Sequence, residues 1–180
     1  MRSSFCKNMF FVLENEFADG ELWRLRELLD LIDIKLTDIT NKVSNSVDPE
    51  SDGLCDRGEY FIGVGFVAIQ QYLAETIMFT GISKRDALML GPKHESGRAL
   101  IDIINSCANW WKHEPEWWDK NEIPRNGEYT WDSVKSFSKS SDYPLSNALA
   151  MLCRNRNMIF LNLIPILEEW RISVHEARCK

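Results

Sequence analysis

Asn109 and His113 stand four residues apart in the stretch "SCANWWKHEPEWWD" of a 180-residue chain, and Asn105, just before it, extends the four-residue spacing. Amides and an imidazole in such a row can hydrogen-bond a ligand, and the imidazole can also move a proton. At about 100° per residue, Lys112, Arg98, Asn109, Asp102 and His113 fall on the same side of a helix as Asn105. Ile101, Ile103, Ile104, Cys107, Trp110 and Trp111 fill the opposite arc. The polar side is unlike an ordinary solvated face, because asparagine is a poor helix former next to Glu, Lys or Arg. It reads as a hydrogen-bonded strip facing another helix or a cleft, with Asn105, Asp102 and Lys112 as binding residues. Pro115 disfavours helical backbone at Glu114, which places His113 in the last turn, beside the negative end of the helix dipole. Beyond the proline, Trp117 and Trp118 are expected to be partly exposed as a contact patch.

The elements that would carry this strip read as helices almost throughout. Apolar residues at helical spacing predict helices over 20–43, with Asp19 as N-cap, over 59–80 and over 96–113. A short helix follows the N-cap Ser83, and further pieces are expected near 128–138 and 144–154. A last helix over 157–177 would be kinked by Pro165. Acidic (44–58) and polar (119–128) loops interrupt the pattern, and no strand is convincing. The fold class is all-α, a single domain over 1–180, a bundle of about five to seven helices.

Composition narrows the function classes. Residues 1–60 hold thirteen acids and seven bases, and the remainder balances, giving the net charge of −6. The first third therefore reads as an acidic face, and nucleic-acid binding by bulk charge is disfavoured. A local basic site among Lys135, Lys139, Arg154 and Arg156 is compatible with that balance. Five cysteines without a CxxC pair suggest no disulfide framework or zinc site; Cys107 and Cys153 read as buried thiols. No apolar leader segment is evident near Met1, so a cytoplasmic protein is expected, with no membrane partner. The helix over 59–80 is apolar, but Gln70, Gln71 and Glu75 suit a buried central helix better than a membrane span.

Two motifs are decoys. "GVGFVA" (Gly63–Ala68) fits a dinucleotide fingerprint but lacks the strand before it and the acid after it. Its glycines are expected to admit a neighbouring helix. "DPESDGLCDRGE" (Asp48–Glu59) has the oxygen ligands and central glycine of a calcium loop. Calcium is the minor alternative there, against a plain acidic linker, and no cofactor or metal is assigned.

Asn109-x-x-x-His113 ending an amphipathic helix of a small all-α chain resembles the HEPN class of helical domains of small bacterial proteins. That resemblance covers mainly residues 60–118. It implies a metal-independent ribonuclease of toxin or antiphage type, acting on RNA as a homodimer. His113 would be the general acid or base, Asn109 would orient it, and an arginine would steady the phosphate. Ala108 stands where the family has that arginine, so Arg98, or Arg154 and Arg156, would have to substitute. The missing arginine and the acidic balance favour the other reading: a non-catalytic module binding a partner protein or a nucleotide-like ligand, with homodimerisation as part of it.

Overall fold

A computed structural model describes residues 11–13, 16–119, 124–138, 142–154 and 157–178. Two three-residue strands, β1 (Phe11–Leu13) and β2 (Glu16–Ala18), pair antiparallel with Phe11 opposite Ala18. Runs this short carry no readable periodicity, which is why the sequence suggested no strand. All else is helical: α1 (Gly20–Asn45), α2 (Leu54–Met78), α3 (Lys84–Leu88), α4 (Leu100–Asp119), α5 (Arg125–Ser138), α6 (Pro144–Cys153), a 3₁₀ turn (Phe160–Leu163) and α7 (Ile164–Arg178). The all-α class stands, and buried residues of every α-helix join one continuous core.

α2 is the central element. By length and composition it could cross a membrane, but it packs against α1 on one side and α4 on the other. Ile62, Phe66, Ile69 and Leu73 are buried along it. Its glycines do what the decoy motif suggested. A Cβ on Gly63 would overlap the indole of Trp111, and one on Gly65 would overlap the ring of Phe160. The bare backbone is therefore the seat for two aromatic rings. α2 starts more than one turn earlier than the expected residue 59, at Leu54, and so takes in Asp56.

Three other boundaries differ from expectation. Pro165 does not kink the last helix. It lies in the first turn of α7, where a missing N–H costs nothing, directly after the 3₁₀ turn. α5 begins at Arg125, inside the expected polar loop. α4 runs through Pro115 to Asp119, so His113 is six residues from the helix end rather than in its last turn. The reason is Trp117. It is 9% exposed and packs on Trp110, with ring centroids 5.5 Å apart. A proline inside a helix costs about 3 kcal/mol. Burying an indole of roughly 200 Å² returns about 5 kcal/mol at 25 cal/mol/Å². Burial wins, and the helix continues. Trp117 is thus core, not contact patch, and the Trp118 side chain lies outside the described residues.

The acidic first third is not simply a surface. Asp33 on α1 is buried and accepts from the backbone N–H groups of Phe160 (2.7 Å) and Leu161 (2.9 Å), capping the 3₁₀ turn. Glu59 accepts from Leu145 N–H (2.6 Å), Ser146 N–H (2.9 Å) and the Ser146 hydroxyl (2.5 Å). It caps α6, whose own N-cap, Tyr143, has left-handed backbone and no capping side chain. Asp19 caps α1 through Leu22 and also accepts from the Tyr72 hydroxyl at 2.8 Å.

Candidate functional site

The strip on α4 meets a cleft. An open cavity of about 740 Å³ lies between α3, α4 and α5. Asp102, Asn105, Ser106 and Asn109 form its α4 wall, Lys84 and Arg85 come from α3, and Tyr129 and Thr130 from α5. The α3 wall is pinned from behind. Trp170 of α7 is fully buried and its indole N–H donates to the Ala87 carbonyl at 2.8 Å. That bond satisfies a carbonyl in a helix of five residues, too short to hold its own geometry.

Gln70 organises the α4 wall from α2. Its Nε2 donates to Asn105 Oδ1 at 2.8 Å and to Asn109 Oδ1 at 2.9 Å. One amide thus fixes two side chains a helical turn apart. Because both carbonyl oxygens are engaged, the two Nδ2 groups are the free ends. Asn105 is buried and Asn109 half-buried, and both line the cleft.

Asp102 closes the α5 side. Its Oδ2 accepts from Arg98 Nε and from the Tyr129 hydroxyl, both at 2.8 Å. The Arg98 guanidinium lies over the Tyr129 ring, 4.7 Å from its centroid. Burial, and then the bond to Asp102, push the Tyr129 hydroxyl above its ordinary pKa, so it remains a donor. Lys112, one turn beyond Asn109, is exposed. Partial burial and the charge of Lys84 hold its ammonium below the usual lysine range.

The expected residues separate into two groups. Asp102, Asn105 and Asn109 are brought together as the cleft wall, whereas Lys112 is exposed one turn further on and is not among the residues that line it. His113 is not in that wall. Its ring stacks on Trp117 at 6.0 Å, and Nδ1 lies 3.4 Å from Glu116 Oε2. Arg98 belongs to Asp102 and Tyr129. It lies just before α4, which starts at Leu100 rather than near residue 96, so the helix that carries His113 does not include it. No arginine of the described residues is paired with His113; Lys139 and Arg156 lie outside the described residues. Trp110 is core, stacked on Trp131 at 4.5 Å. The α1 surface exposes Trp23, Leu31 and Ile34 between its charges.

The calcium pattern is not assembled as a cage. Glu59 is engaged by α6, Asp56 is already helical, and Asp48 accepts from the Ser51 N–H and hydroxyl. Among the described residues no three His, Cys, Asp or Glu side chains gather as a metal site.

Sequence reasoning missed Gln70, Lys84, Arg85, Tyr129 and Thr130. A polar amide in the middle of an otherwise apolar helix was the one available signal for Gln70. The other four depend on how α3 and α5 fold against α4. No protein-family model, curated protein or solved structure matches this chain, so the residues themselves carry the functional argument.

Proposed function

We propose that the chain is a non-catalytic binding module whose recognition surface is the α3–α4–α5 cleft, taking a small, polar, nucleotide-like ligand. The observation that carries this reading is the Gln70 clamp. It orients two asparagine amides before any ligand arrives, so binding costs little side-chain entropy there. Donors from Asn105, Asn109, Ser106 and Thr130 surround apolar patches of Leu88 and Met89. A few placed polar groups on a partly apolar wall suit a small molecule, and the volume falls within the roughly 300–1,000 Å³ common for such sites.

The HEPN-type ribonuclease is the reading this one competes with, and its histidine, on α4, has no arginine paired with it among the described residues. Two measurements separate them. On adding mixed nucleosides and nucleotides, the side-chain amide NMR signals of Asn105 and Asn109 should shift. Unmoved amides would sink the cleft reading. The wild-type chain should leave RNA intact in EDTA, whereas cleavage that disappears in His113→Ala would install the nuclease instead.

A further inference from the structure

We infer that the ligand of this cleft is a small organic phosphate, its phosphate seated against Lys84 and Arg85 and its organic part lying along Asn105 and Asn109. The inference rests on the binding reading above and names the chemistry of what is bound.

Charge placement is the first argument. The chain carries −6 overall, yet the α3 wall of the cleft presents two neighbouring cations, Lys84 and Arg85. Neither makes an ion pair among the described residues. The one acid lining the cleft, Asp102, already has Arg98 at 2.8 Å. Lys84 and Arg85 are consecutive residues of α3, and both are exposed at the cleft. Like charges brought together without a counter-charge destabilise the free protein, and an anion between them removes the conflict.

The second argument concerns which anion. A phosphate monoester carries about −1.5 to −2 near neutral pH and three strong acceptor oxygens, which suits two neighbouring cations better than a single carboxylate does. A cavity of 740 Å³ is far larger than a bare phosphate needs. Leu88 and Met89 give it an apolar side that only an organic substituent would use. A polyanion such as RNA would also meet the acidic remainder of the surface, whereas a single small dianion would not.

The test titrates the full chain by calorimetry with AMP, ribose phosphate, adenosine and inorganic phosphate, at low and high ionic strength. AMP or ribose phosphate should bind, more tightly than adenosine or inorganic phosphate, and should weaken with salt. Lys84→Ala and Arg85→Ala should each cost roughly tenfold in affinity, the loss expected when a charge-assisted hydrogen bond goes. Both positions are exposed, and circular dichroism checks that the fold is kept. Adenosine binding as tightly as AMP, or affinity indifferent to both cation variants, overturns the inference. So does failure of every organic phosphate, or preference for a single-stranded RNA probe. If adenosine still binds and Asn109→Ala weakens it, the cleft reading survives without the phosphate. If Asn109→Ala changes no probe's binding, both fall.

Discussion

Glu59 shows what a single carboxylate does here. It stands in for the missing N-cap of α6, and burial outweighs its three hydrogen bonds, raising its pKa from the ordinary 4.5. Asp33 is raised for the same reason. Between the ordinary and the raised value the folded chain keeps a proton that the unfolded chain has released. The stability linked to Glu59 is therefore full below pH 4.5 and is lost as pH rises through the folded pKa. Glu59→Gln does not titrate and keeps one acceptor oxygen. It should cost about 1–2 kcal/mol as a weakened cap. Its deficit against wild type should shrink as pH rises across that window in urea unfolding. A deficit that widens instead would mean the hydrogen bonds, not burial, govern this group. None of this was legible beforehand, since Glu59 looked like the last ligand of a calcium loop. A carboxylate's partner 86 residues away leaves no mark on its local pattern.

At the scale of elements, α2 offers two glycines with opposite expected behaviour. Gly58 has room for a Cβ, whose nearest neighbour would be Ile39 at 3.8 Å, whereas Gly63 has the Trp111 ring in that space. Gly58→Ala should stabilise the chain by about 0.5–1 kcal/mol through helix propensity. Gly63→Ala should destabilise it by about 1–3 kcal/mol through overpacking, or more if the indole cannot turn aside. Denaturant midpoints of the two variants on either side of wild type would bear this out; both moving the same way would place Trp111 elsewhere. The helices themselves were readable, because burying one face imposes a 3.6-residue period on the sequence. The continuation of α4 past Pro115 was not. Local propensity stops the helix there, and only the tertiary contact of Trp117 with Trp110 restores it.

For the whole molecule, the single core makes a claim about cooperativity. Cys107 on α4 and Cys153 on α6 are both buried, and burial pushes the Cys107 thiol far above its usual range. A thiol must reach solvent and ionise to be alkylated. Both should therefore react only as the chain unfolds, with the same dependence on denaturant when followed by peptide mass mapping. Alkylation of Cys153 at denaturant levels that leave Cys107 untouched would split the bundle into separately opening parts. Net charge was legible from composition, but its distribution was not. Asp19, Asp33 and Glu59 count among the acids of the first third, yet each turns toward the interior or a helix start.

Those caps also impose an order of events on a chain being synthesised. α1 and α2 leave the ribosome long before residues 145 and 160 exist. Their carboxylates must then stay hydrated until the amides they will serve have been made. The starts of α6 and of the 3₁₀ turn, both built late, are completed by the first-built half, so the nascent bundle cannot lock until they arrive.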